Sequence, residues 1–156
     1  MTYSVLKMMA DFNVRLANWS DEADRQALRE IRRLVFIEEQ NVPIELEWDD
    51  FDKTATHLLA TDKVSGQPIG TARMVIDPSK ISIGRMAVLA NYRQQGIGSA
   101  LLNTLVNLAT EQGYDNIQLS AQTHATEFYH KLGFEQYGGE FLDAGIPHYA
   151  MRLRTG

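Results

Sequence analysis

The sequence predicts a single α/β domain: a mixed β-sheet with helices on both faces and a bulged central strand. Three observations carry that expectation. Strand-like and helix-like apolar periodicities follow one another in the order β-α-β-β-β-α-β-α-β-β. The chain has 156 residues, 44% of them hydrophobic and 22% charged, without repeats, low-complexity tracts or Pro/Gly-rich linkers, which suits one domain over residues 1–156 with one core. Finally, the apolar alternation changes phase around a glycine in the stretch Ile81 to Leu89, where Ile81 and Ile83 share one parity and Met86 and Val88 the other.

Residues 1–11 read as a loosely ordered lead-in, with one lysine and too short an apolar stretch for a signal peptide. Phe12 to Leu16 alternates as a first strand. Ser20 or Asp21 can cap the helix that follows, whose apolar positions Ala27, Ile31, Leu34 and Val35 repeat at helical spacing. Glu38 to Lys53 is acidic, contains Pro43 and reads as a long loop with a short helical turn, of a length that is uncommon unless it lines a site.

His57 to Thr61 and Ile69 to Ile76 are β-like runs joined through Lys63-Val64-Ser65-Gly66, a hairpin signature. In the next strand, Gly84 inside the phase break points to a β-bulge that re-aims backbone groups; a strand buried on both faces would lose parity in the same way. Gly96 to Gln112 is the clearest helix, with Ile97, Leu101, Leu105 and Leu108 along one stripe and Gly113 as its stop. Ile117, Leu119 and Ala121 alternate as a strand. Ala125, Phe128, Tyr129 and Leu132 mark a short helix ended by Gly133, and Glu135 to Leu142 and His148 to Leu153 read as a closing antiparallel pair around Gly145-Ile146-Pro147.

Composition narrows the function. Without cysteine there is no disulfide, thiolate nucleophile or cysteine metal site, and the absence suits a reducing cytoplasm. Four histidines without paired spacing give no case for a metal. The net charge of −5 argues against nucleic-acid binding, mildly favours an amine partner, and requires any site for an anionic cofactor to be built locally. No apolar run approaches the roughly 20 residues needed to cross a membrane.

One such local site is Arg93-Gln94-Gln95-Gly96-Ile97-Gly98-Ser99, a turn running from a strand into a helix. The first helical N–H groups lack intrahelical partners, the dipole adds positive charge, the glycines admit close approach, and Arg93 supplies a full charge. It lacks the Gly-Lys-Ser/Thr of a P-loop and the third glycine of a dinucleotide fingerprint. A turn that uses glycine purely for geometry is the plain alternative.

The motif Arg93-Gln94-Gln95-Gly96-Ile97-Gly98, set between Ile83–Val88 and a long helix, resembles the Arg/Gln-x-x-Gly-x-Gly/Ala signature of the GNAT N-acetyltransferase superfamily. Phe128-Tyr129-His130-Lys131-Leu132-Gly133-Phe134 resembles that family's later Phe-Tyr-x-Lys-x-Gly-Phe segment. Val35-Phe36-Ile37-Glu38-Glu39-Gln40, Ala121-Gln122-Thr123-His124-Ala125 and Gly145-Ile146-Pro147-His148 resemble the bacterial ElaA/YjcF-like branch. The resemblance spans Ile31 to Met151 and implies a GNAT-like sheet with a bulged central strand.

It also implies acetyl-CoA as co-substrate. Met86, Ala87 and Val88 would then offer backbone groups to its pantetheine arm, with the Val88 N–H facing the thioester oxygen. Arg93 and the backbone N–H groups from Gln94 to Ser99 would hold the pyrophosphate, and Phe128 would also belong to the cofactor site. Tyr129 would be the general acid that protonates the departing thiolate; on residues alone, Phe128 and Tyr129 are equally an apolar stripe that packs. The acceptor would be a small-molecule amine that attacks directly in a ternary complex, without a covalent acyl-enzyme. Resemblance to the branch raises Glu39, His57 and His148 as walls of the acceptor site. Pairing of such domains through their outer strands is compatible with a homodimer. A non-catalytic acyl-CoA binding or sensing module is the competing reading; it would keep Arg93 to Ser99 and dispense with Tyr129.

Overall fold

The computed structural model describes residues 11–153, so the lead-in expected over residues 1–11 falls outside it except for Asp11. Among the described residues one seven-stranded sheet runs in the order β1-β2-β3-β4-β5-β7-β6. Its strands are β1 (Phe12–Ala17), β2 (Thr56–Asp62), β3 (Pro68–Ile76), β4 (Ile81–Val88), β5 (Ile117–Gln122), β6 (Phe134–Asp143) and β7 (Ile146–Leu153). Each neighbouring pair is antiparallel except β4 and β5, which run parallel. That parallel seam is short: Ile81, Ser82 and Ile83 pair with Ile117, Gln118 and Leu119, and then the strands part.

The bulge lies where the phase break placed it. Thr71 pairs with Ala87 but Arg73 pairs with Gly84, so β4 accommodates one extra residue at Arg85–Met86 opposite Ala72. The left-handed backbone falls on Arg85, at φ 49°, and not on Gly84 beside it.

Helix α1 (Glu22–Arg32) is capped by Asp21, whose carboxylate accepts from the Asp24 N–H. Its buried Leu28 and Ile31, with Val35, pack on Leu59 and Ala87 from one face of the sheet. Helix α3 (Ile97–Glu111) covers the other face, where Ile97, Leu101, Leu102, Leu105 and Ala109 join Leu58, Ile69, Met74 and Ile83 in the main core. The expected stripe holds, with Leu108 half-buried and Leu102 and Ala109 taking the deeper positions. Gly70 lets α3 sit this close: a Cβ there would lie 3.1 Å from Ile97 Cγ2 and 3.3 Å from Leu101 Cδ1. Short helix α4 (Thr126–Lys131) packs Phe128 and Tyr129 against the same core.

The acidic stretch after α1 differs from the expected loop. Helix α1 continues as a π-helix over Arg33–Glu39, with Gln40 N–H donating to Val35 O at 3.1 Å. Then come α2 (Ile44–Glu47) and a 3-10 turn (Asp50–Lys53). The physical reason is that Glu47 and Asp52 are drawn inward to buried arginines, which orders a segment that composition alone reads as solvated. The β6–β7 turn is made by Ala144 and Gly145, both at positive φ, and Ile146 already belongs to β7. Among the described residues no helix is long and apolar enough to cross a membrane.

Candidate active site

A cavity of about 600 Å³ opens where β4 and β5 part. Gly84, Arg85 and Met86 line one side of it, and Leu119, Ser120 and Gln122 the other. Tyr129 lines it from α4, and its hydroxyl donates to Met86 Sδ at 3.6 Å. Its ring packs edge-on against Phe128 at 5.0 Å and Phe134 at 6.3 Å. Burial pushes the phenol up to about 12, so it remains protonated at neutral pH.

The bulge decides where the Val88 backbone points. Leu89 N–H donates to Ile69 O at 2.9 Å across the Gly70–Val88 pair, which makes that pair non-hydrogen-bonded. The N–H and C=O of Val88 therefore face away from β3, on the side from which β5 has withdrawn. The carbonyl bears this out, accepting from Arg93 Nε at 2.9 Å.

The loop before α3 presents donors. Gln94 at φ 63° and Gly96 at φ 86° both adopt left-handed backbone, and no side chain caps the helix. The first turn closes with Ala100 N–H donating to Gly96 O at 3.0 Å, leaving the preceding N–H groups of Ile97, Gly98 and Ser99 directed out of the helix end. A Cβ on Gly98 would meet Phe128 Cζ at 3.4 Å, so Phe128 links the loop to Tyr129 by direct packing.

The candidates named from sequence separate in space. Met86, Tyr129 and His148 line the cavity. Inside it, His148 donates from Nδ1 to Ile146 O at 2.6 Å and stacks on Phe141 at 5.9 Å. Glu39 lies outside the cavity and forms a two-pronged ion pair with Arg93, Nη1 and Nη2 each 2.7 Å from a carboxylate oxygen. Arg93 holds the Glu39 carboxyl below its usual range, while Arg93 itself is raised by the same hydrogen bonds. Arg93 thus ties the end of β4 to the π-helix, and its charge is already partnered. His57 also lies outside the cavity. It is buried, stacked on Trp19 at 4.9 Å, and bonded through Nε2 to Asp52 O at 2.8 Å.

What sequence reasoning missed is a charged wall. Arg32 reaches Glu47 and Asp52, each at 2.7 Å, and Arg73 reaches Asp49 and Asp52, also at 2.7 Å. Arg85 adds hydrogen bonds to Glu47 O at 3.0 Å and Asp49 Oδ2 at 3.2 Å. Desolvation raises Glu47 and lowers Arg85, each against the pull of its opposite charges. The acidic stretch therefore offers few free carboxylates to an amine. Arginines inside the otherwise apolar runs of β3 and β4 were the available signal.

The splayed sheet thus sets helix-end donors at one side of a gap and a buried phenol at the other. Residues 21–155 match the family model described as "Acetyltransferase (GNAT) domain", and the chain belongs to that family. The uncharacterized N-acetyltransferase YjcF of Bacillus subtilis (strain 168) is 36% identical over 122 residues, covering 78% of this chain and 86% of its own. Escherichia coli ElaA superposes with a TM-score of 0.81 at 25% identity, covering 94% of this chain and 100% of that one. An acyl-CoA N-acyltransferase from Pseudomonas aeruginosa superposes at 0.77 with 27% identity, covering 93% and 99%. The family match and these relatives place the chain in the ElaA/YjcF-like branch, as an acyltransferase.

Proposed function

We propose that the protein transfers an acetyl group from acetyl-CoA to the primary amine of a small molecule, by direct attack with both substrates bound. The observation that carries the reading is the pairing of two features on one strand: the Val88 N–H turned toward the splay, and the Tyr129 hydroxyl 3.6 Å from Met86 Sδ, two residues away. The loop fits the diphosphate of such a donor, because its N–H groups point outward at a helix end with no capping side chain.

The chemistry follows from those groups. The donor's pantetheine arm lies along Met86, Ala87 and Val88 in the gap left by β5. Val88 N–H donates to the thioester oxygen and stabilises the negative charge that builds there as the amine nitrogen attacks the carbonyl carbon. The C–N bond forms, the C–S bond breaks, and Tyr129 delivers its proton to the departing sulfur. The amine proton leaves to solvent or to a cavity group such as His148. Backbone N–H groups from Gln94 to Ser99 take the pyrophosphate. Arg93 contributes by holding the strand end in place, with its guanidinium on Glu39.

Two measurements test this in sequence. Coenzyme A at saturating concentration is expected to raise the melting temperature, and acetyl-CoA with a panel of amines is expected to release free thiol. Stabilisation without thiol release on any amine would favour a sensing module. No stabilisation would leave the loop as a turn only.

A further inference from the structure

Resting on the function just proposed, we infer that the amine acceptor is also an acid, of the α-amino-acid kind, and that Arg85 binds its carboxylate. Of the three arginines in the charged wall, two have both terminal nitrogens bonded. Arg32 uses Nε, Nη1 and Nη2 on Glu47 and Asp52, and Arg73 uses both terminal nitrogens on Asp49 and Asp52. Arg85 does not. Its Nη2 bonds to the carbonyls of Leu46 and Glu47 and to Asp49. Its Nε is buried and lies 3.2 Å from Glu47 Oε2 without an aligned hydrogen bond, because that oxygen is directed at Arg32 Nε. Its Nη1 has no partner among the described residues, although the residue lines the cavity.

The backbone puts this cation beside the reacting atoms. Arg85 occupies the left-handed position of the bulge, at φ 49°, and is followed directly by Met86, which touches the Tyr129 hydroxyl. In a regular strand neighbouring side chains face opposite ways, but across this bulge Arg85 and Met86 line one cavity. A non-glycine residue held at positive φ costs conformational energy and persists where its surroundings fix it.

Charge then selects the ligand. Arg73, Arg85 and Lys80 line the cavity, and Glu47, the carboxylate on that wall, is already shared between Arg32 and Arg85. A polyamine would meet those cations without a free counter-charge on that wall. A single carboxylate suits the one open terminus of Arg85; a dianion would be repelled by Glu47 and Asp49 close by. On β6, Asp143 lines the same cavity, exposed and without an ion pair among the described residues, so the ammonium of an amphoteric acceptor has a counterpart there before it loses its proton.

The test compares acetyl transfer to free amino acids, to their carboxamides, and to the decarboxylated amines, in the wild type and in Arg85→Gln and Arg85→Lys. The wild type is expected to favour carboxylates over the matching carboxamides by about tenfold or more in kcat/KM. Arg85→Gln should bring that ratio toward one, and Arg85→Lys should restore part of it. Coenzyme A–induced stabilisation reports folding and donor binding in each variant. Equal rates on acids and carboxamides would overturn the inference while leaving acetyl transfer to amines standing, as would an unchanged ratio in Arg85→Gln. A panel in which no carboxylate-bearing amine is acetylated counts against it as well. Loss of stabilisation by coenzyme A in the wild type would instead strike at the underlying function.

Discussion

At Tyr129 the ring and the hydroxyl do separable work. The ring packs on Phe128 and Phe134, while the hydroxyl touches Met86 in the cavity. Tyr129→Phe is therefore expected to keep the melting temperature and the response to coenzyme A, and to lower kcat by about 10²–10⁴-fold in steady-state assays. A lower kcat with a raised KM, lost stability and a lost response to coenzyme A would point to packing alone. His57 makes a second, independent prediction. Desolvation lowers its imidazole below the usual 6.5, so the folded state keeps it neutral while the unfolded chain takes up the proton first. Its contribution to stability is present above that value and is lost as pH falls. Denaturant unfolding from about pH 7 to about pH 5 should show a loss that is smaller in His57→Gln.

Among the elements, α3 is the one whose placement the site depends on most. Its first turn rests on Gly70, and a methyl group there would press on Ile97 and Leu101. Gly70→Ala is expected to destabilise by about 1–3 kcal/mol and to weaken coenzyme A binding by shifting the loop N–H groups, as calorimetric titration would read. A variant that loses stability but binds unchanged would show that the loop is held independently. This helix was legible in the sequence because burial of one stripe imposes a period, as it was for the strands with alternating faces. The bulge was legible for the same reason, since one extra residue inverts parity. The π-helix and the charged wall were not. Arg32, Glu47 and Asp52 look like surface residues one at a time, and they are buried because they meet across 15 and 20 positions of chain. The Arg93–Glu39 pair joins residues 54 positions apart, so no local pattern announces that this guanidinium also braces the π-helix.

On the scale of the whole molecule, the sheet consists of an antiparallel group from β1 to β4 and a second group of β5, β7 and β6. They are joined edge to edge over Ile81–Ile83 and Ile117–Leu119 alone, with α3 and the core packed across the join. Hydrogen exchange should show the amides of Met86 to Val88 that face the gap exchanging faster than those of Ile81 to Ile83, and slowing when coenzyme A is added. Equal protection on both stretches in the free protein would mean that the gap is closed in solution. The short seam has a mechanical consequence. A donor lying along β4 would stand in for the missing length of β5, as a strut laid into an open joint. Empty protein would then be the more compliant form, able to spread its two groups of strands to admit a long, thin molecule. Loaded protein would be braced along its midline, and each turnover would pass through one loosening and one tightening of the same joint.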